Sequence, residues 1–122
     1  MLNPGAIEVA YHRITPHVRR TPLLHSYLLN HWLGHQVYFK AESFQKTGAF
    51  KIRGALNTVL ALKEQEALGD HVVAFSSGNH AQAVAYAAHA VGVKATVFMP
   101  EFVSRVKQAA TRAYGATVVL TE

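Results

Sequence analysis

The second half of the chain carries the clearest hydrophobic rhythm. HVVAF (71–75), ATVFM (95–99) and ATVVL (116–120) are short apolar runs rich in β-branched and aromatic residues, the signature of buried strands. Between the first two lies an alanine-rich stretch with helical spacing, 79–91, closed by Gly92. Between the last two lies a second helix, 104–114, closed by Gly115, with Val106, Ala109, Ala110 and Ala113 on one side. Pro100 stops the middle strand. Apolar strands alternating with glycine-ended helices predict right-handed βαβ units and a parallel sheet. Strands this continuously apolar predict a sheet covered on both faces, a three-layer αβα arrangement of the α/β class.

The first half is less regular. Residues 5–14 predict a short helix ending before Thr15-Pro16, and Thr21-Pro22 an extended turn. Ser26 is placed to cap a helix running to Trp32, with Gly34 just past its end. QVYFKA (36–41) reads as a strand, and 42–48 as a polar loop ending in glycine. A helix comes next over 50–66, with Ala55, Leu56, Val59, Leu60 and Leu62 forming its apolar face before Gly69-Asp70.

Composition narrows the function. The chain has 122 residues, half of them apolar and 16% charged, which suits a globular domain with a real core. No apolar run reaches the roughly 18 residues of a membrane span, so no membrane partner is expected. The start has no basic segment followed by an apolar one, so no secretory signal is expected. With no cysteine, disulfides and thiolate metal sites are excluded, and a cytoplasmic setting is the default. The formal net charge of +5 suits an anionic small ligand. Nucleic acid is not expected, because only Arg19-Arg20 are adjacent and no basic stripe is interleaved with aromatics. His31 and His35 have the four-residue spacing of a metal pair, yet Gly34 between them breaks the helix, so no metal site is expected.

Two places carry candidate chemistry. The strand 71–75 runs into Ser76-Ser77-Gly78-Asn79-His80 at the start of a helix. Free N–H groups and the positive helix end favour a carboxylate or phosphate there, although an ordinary helix cap has the same sequence. Lys51 stands at the start of the 50–66 helix, between Phe50 and Arg53. The helix end, a nearby guanidinium and packing on Phe50 would favour a neutral amine able to form a Schiff base. A surface lysine reads the same way in isolation. No Walker A sequence, GxGxxG or HExxH occurs, and the eight glycines are dispersed.

Together these segments resemble a known family. KAESFQKTGAFKIRGALN (40–57) resembles the lysine motif of the threonine and serine dehydratases and serine racemases, which depend on pyridoxal phosphate (PLP). SSGNHAQAVAYAAHAVGVKATVFMP (76–100) resembles their Ser-x-Gly-Asn-His segment, and RAYGATVV (112–119) resembles the family's next stretch. Order and spacing agree from about Ile7 to Glu122. The resemblance implies an incomplete fold-type-II PLP enzyme. Residues 1–50 would be a segment that packs on the family's large domain, and 51–122 part of its small α/β domain. Lys51 would carry the cofactor and move the substrate's α-proton. Phe50 would flank the ring, and Asn79 would bind its phenolic oxygen. Ser77, Gly78, Asn79 and His80 would surround the substrate carboxylate, with Ser77 also catalytic.

The implied reaction is dehydration and deamination of L-threonine or L-serine to a 2-oxo acid and ammonia. Serine at 77, where many bacterial threonine dehydratases have alanine, keeps serine racemase and hydroxyaspartate dehydratase open. The partners implied are a small amino acid and further copies in a homo-oligomer. Ala49 departs from the serine common before the Phe-Lys pair. Glu101-Phe102-Val103-Ser104 lacks the usual Ala-Pro. The stop at Glu122 directly after a strand, and the lack of the family's glycine-rich phosphate loop, point to part of a larger enzyme with little activity alone. A non-catalytic, self-associating α/β module is the alternative.

Overall fold

The computed structural model of the chain describes residues 3–122. Asn3 caps helix α1 (Pro4–Ile14), its Oδ1 accepting from the Gly5 N–H at 3.0 Å, and Pro4 takes the first helical position, where no N–H is needed. Ser26 caps α2 (Tyr27–Leu33), and Gly34 ends it in the left-handed conformation at φ 66°. The expected strand over 36–41 shrinks to β2 (Phe39–Lys40), which pairs antiparallel with β1 (Leu23–Leu24). The reason is lack of a partner: β1 is two residues long, and the Val37 N–H is taken by Asn30 Oδ1 at 2.9 Å. The loop 42–48 winds into two short 3-10 turns, Glu42–Phe44 and Lys46–Gly48.

From residue 51 the chain keeps closely to its pattern. Helix α3 is Lys51–Glu64, β3 is His71–Phe75, α4 is Asn79–Val91, β4 is Lys94–Pro100, α5 is Arg105–Ala113 and β5 is Thr117–Thr121. The three strands form a parallel sheet in the order β3-β4-β5. Helix α4 packs on β3, β4, α3 and α5, and α1 packs on α3. The α/β class, the parallel sheet and the βαβ units are as the pattern required.

Two apolar clusters meet on α4. One joins Ile14, Ile52, Leu56 and Val59 to Ala83, Val84 and Ala87. The other joins Ala81, Ala85 and Ala88 to Ala95, Val97, Met99, Val103 and Ala116. Opposite this layer, the sheet presents Val73 and Phe75 to solvent, Phe75 at 67% exposure. In-register neighbours Phe98 and Val119 continue that row. This is the face that a third layer occupies in a three-layer αβα fold.

Two sequence expectations fail in detail. Leu62 is exposed, not part of the α3 core face. On α5 the buried residues are Gln108 and Thr111, while Val106, Ala109 and Ala113 face outward and Ala110 is half-buried. Burying these polar side chains is tolerated because each is bonded locally. Gln108 Nε2 donates to the Val103 carbonyl at 2.9 Å, and Thr111 Oγ1 donates to the Lys107 carbonyl at 2.8 Å.

These burial differences set opposite costs for truncation. Leu56 is fully buried and Val106 is 79% exposed. Leu56→Ala should lower stability by about 2–5 kcal/mol, and Val106→Ala should stay within about 0.5 kcal/mol of the parent. Urea unfolding of both variants measures the contrast.

Candidate active site

The approach to Lys51 is held by polar contacts made with residues far away in sequence. Thr21, the carboxylate of Glu42 and the guanidinium of Arg53 form one cluster. Arg53 Nε and Nη2 each donate to Glu42 at 2.8 Å, a bidentate pair, and Thr21 Oγ1 donates to the same carboxylate. Lys40 Nζ donates to the Thr21 carbonyl at 2.6 Å. Hydrogen bonding from Arg53 holds the Glu42 carboxyl down at about 2, from an ordinary 4.5. Thr21 and the charges of Arg53 and Lys40 act in the same direction, and partial burial opposes them. The Arg53 guanidinium is correspondingly held further up.

The turn between this cluster and the lysine is strained. Thr47 has φ 63° and Gly48 φ 68°. Glycine adopts that region freely, but a β-branched threonine does so only when its surroundings impose it. The buried Gln45 side chain anchors the turn. Its Oε1 accepts from the Arg19 N–H at 2.8 Å and from its own neighbour Lys46 N–H at 2.9 Å, and its Nε2 donates to the Arg19 carbonyl at 2.8 Å. Lys46 Nζ lies 5.5 Å from the centre of the Tyr86 ring on α4, a cation–π contact.

Phe50 is the N-cap of α3 and Lys51 its first residue. The Lys51 ammonium stands 5.2 Å from the centre of the Phe50 ring. The expected surroundings of this lysine are partly corrected. Phe50 is 59% exposed, so its ring supports the lysine without drying it. Arg53 is turned to Glu42.

At the carboxyl end of β3, the Ser76 N–H still donates to the Phe98 carbonyl at 3.0 Å, carrying the ladder one residue further. The Gly78 N–H donates to Ser76 Oγ at 3.2 Å. Gly78 is the N-cap of α4, in place of a serine or asparagine, and no side chain caps this helix. Ser77, Asn79 and His80 are exposed there. His80 shares a pocket of about 190 Å³ with Gly54, Ala55 and Thr58 of α3 and Val73 of β3, so the start of α4 neighbours α3 from about one turn beyond Lys51. Among the described residues no hydrogen bond joins Lys51 to Ser77, Asn79 or His80.

One nearby cation escaped the expectations drawn from sequence. Lys107 Nζ lies 3.7 Å from where a Cβ on Gly78 would stand. Lys107 sits on α5, 29 residues along the chain from Gly78, and no local pattern connects the two. His31 stacks on Tyr27, and among the described residues no group of three or more histidine, aspartate or glutamate side chains is placed to hold a metal ion. No helix among these residues is long and apolar enough to cross a membrane.

Comparison with known proteins assigns this geometry to a family. Residues 14–122 match the family model described as pyridoxal-phosphate dependent enzyme. The chain is 51% identical over 121 residues to the L-threonine ammonia-lyase of Geobacter sulfurreducens, covering 99% of this chain and 30% of that protein. It is 49% identical to the L-threo-3-hydroxyaspartate ammonia-lyase of Saccharomyces cerevisiae, covering 94% of this chain and 35% of the relative, and 45% identical to Bos taurus serine racemase, covering 95% and 35%. A pyridoxal 5'-phosphate-dependent aspartate racemase superposes with TM-score 0.92 at 44% identity, covering 99% of this chain and 38% of that one. Maize serine racemase superposes with TM-score 0.89 at 40% identity, covering 97% and 36%.

The chain therefore belongs to the family of PLP-dependent enzymes. It corresponds to the N-terminal portion of a fold-type-II member and spans about a third of the length of these relatives. PLP is the cofactor of this lineage. Among the residues present, Lys51 offers an amine with the Phe50 ring beside it, a pair whose chemistry suits the aldehyde end of that group, and Asn79 is exposed at the start of α4. For the phosphate, these 122 residues contain no glycine-rich turn.

The depressed Glu42 value links the approach to Lys51 to pH. A carboxyl whose folded value lies below its ordinary 4.5 contributes stability that is fully present above 4.5 and is lost as pH falls through about 2. Glu42→Gln should remove about 1.5–3 kcal/mol at neutral pH, the worth of charge-assisted hydrogen bonds. It should also flatten the loss of stability across that acid window, as followed by urea unfolding at a series of pH values.

Proposed function

We propose that this chain supplies the lysine and carboxylate-binding half of a site at which a PLP-dependent ammonia-lyase dehydrates and deaminates L-threonine or L-serine. The observation that carries this reading is the Phe50–Lys51 pair at the first turn of α3, the helix whose Gly54, Ala55 and Thr58 share a pocket with His80 from the uncapped start of α4 at the end of a parallel strand. Ligands of open parallel sheets gather at such strand ends. When bound, PLP supplies a sink for the electrons left at Cα once the proton departs.

Apart from the phosphate cradle, the parts assigned to this chain are the following. The Lys51 amine would hold the cofactor and take the α-proton, with Phe50 beside the ring and the Asn79 amide as a donor to the phenolic oxygen. The N–H groups around Ser77, Gly78, Asn79 and His80, with the positive end of α4 and the Lys107 ammonium nearby, favour the substrate carboxylate. Loss of the β-hydroxyl and entry of water release a 2-oxo acid and ammonia.

The Ser77 hydroxyl supports a second chemistry within the family. A hydroxyl facing Lys51 across the substrate would exchange a proton on the opposite side of Cα, as racemisation requires. The relative named serine racemase accords with this, and the one named L-threo-3-hydroxyaspartate ammonia-lyase keeps a hydroxyaspartate substrate open. The same proposal divides the chain at residue 50, with 1–50 packing on the family's large domain. It is supported by β1 and β2 forming a sheet of their own, apart from β3–β5.

Exposed apolar side chains favour self-association as the behaviour of these 122 residues alone. Trp32 is 74% exposed, and Tyr27, Phe75, Phe102 and Val106 are also in the open. Light scattering should return masses above the 13.4 kDa monomer; a clean monomer would remove this reading.

Two measurements test the catalytic proposal. Incubation with PLP followed by borohydride should fix a label on Lys51 and leave Lys51→Ala unlabelled. Equal labelling of the two proteins would overturn the role of Lys51. The purified chain should turn over L-threonine weakly or not at all, since nothing in it cradles the phosphate; robust release of 2-oxobutyrate would contradict that.

A further inference from the structure

We infer that Gln45 is a positioning residue that fixes the Phe50–Lys51 step through the backbone of Arg19. The inference rests on the proposed role of Lys51 and concerns what holds that lysine in place.

Gln45 is only 3% exposed, in a stretch where Ser43, Phe44, Gly48 and Phe50 are all open to solvent. Burying an amide is costly unless its donor and acceptor are both used. Here one side chain occupies both backbone groups of Arg19, donating to the carbonyl and accepting from the N–H, as a neighbouring strand would. Its acceptor oxygen also takes the Lys46 N–H, so the same amide closes the turn immediately after it. The Gly48 N–H then donates to the Gln45 carbonyl at 2.9 Å. Two bonds from one side chain thus tie the lysine turn to a segment 26 residues earlier, and a third closes the turn on itself.

The residues just after this anchor are held away from their preferred conformation. Thr47 keeps φ 63° with its Oγ1 buried and unpartnered, and Gly48 repeats the left-handed geometry. A turn with those properties relaxes when its restraint is removed. Beyond Lys51 the next anchor is Ile52, fully buried in the α3 core. Within the stretch Ala49 is buried and Lys46 rests on Tyr86, so release at Gln45 loosens 46–51 around those contacts while α3 from Ile52 onward and the sheet stay in place. The Phe50 ring and the Lys51 amine lie inside the loosened stretch.

Hydrogen exchange by mass spectrometry on the full 122-residue chain tests this, with three variants. Gln45→Leu removes all three bonds. Gln45→Glu keeps the two accepted bonds and loses the donor to the Arg19 carbonyl. Leu56→Ala lowers stability throughout and is the control. Exchange of the 46–51 amides should rise about tenfold or more in Gln45→Leu, and less in Gln45→Glu, while α4 and β4 keep their parent rates. The borohydride-fixed PLP label on Lys51 should fall in the same order.

Unchanged exchange at 46–51 in Gln45→Leu would overturn the proposal. So would a rise spread over α4 and β4 alike, matching Leu56→Ala, because that pattern marks Gln45 as a residue of general stability. A parent chain that takes no label on Lys51 would count against the cofactor reading, and the exchange pattern would still decide the role of Gln45.

Discussion

Helix α4 is buried on almost every side, and the rest of the molecule depends on that burial. Its alanines make it possible. Ala81, Ala83, Ala85, Ala87 and Ala88 are all essentially inaccessible, so the helix backbone approaches α3 on one flank and β3 and β4 on another. A larger side chain at these positions would hold the layers apart. The alanines themselves bury little area, and most apolar stabilisation comes from the larger residues that close around them: Ile52, Leu56, Val97 and Met99. Close approach of α3 and α4 also brings Gly54, Ala55 and Thr58 of α3 to one pocket with His80 at the start of α4.

The two halves of the chain are held by different forces. Residues from α3 onward rest on apolar packing that runs through α4. The segment before it joins that core through Ile14 and adds side-chain polar contacts: Arg13 to Glu64 and Asn57, Glu42 to Arg53 and Thr21, and Gln45 to the backbone of Arg19. Polar attachment specifies direction and spacing more sharply than apolar contact, because each bond has a narrow geometry. Lys51 stands where the two regimes meet. Its helix is fixed by the core, and the turn that delivers the chain to it is fixed by the polar network.

The open faces fit the family assignment. The row of Val73, Phe75, Phe98 and Val119 on the uncovered side of the sheet is apolar enough to belong in an interior. The chain covers about a third of the length of these relatives.

Much of the second half was legible in the sequence. The 79–91 helix and the 71–75 strand fall where the pattern puts them, and the other two strands begin or end within a residue or so. Local periodicity and glycine stops decide such elements, and both are written in consecutive residues. The family, too, was readable from two motifs in register. The pattern did not decide which side of α5 is buried, because Val106 and Ala109 look like core until Gln108 and Thr111 find local acceptors. It did not decide the length of β2, which depends on β1, nor the left-handed Thr47, nor the proximity of Lys107 to Gly78. The sequence by itself determined the kinds of elements, their order and the chemical groups available. Only the tertiary structure decided which groups meet, because burial, strand pairing and the Gln45–Arg19 clasp are relations between residues far apart along the chain.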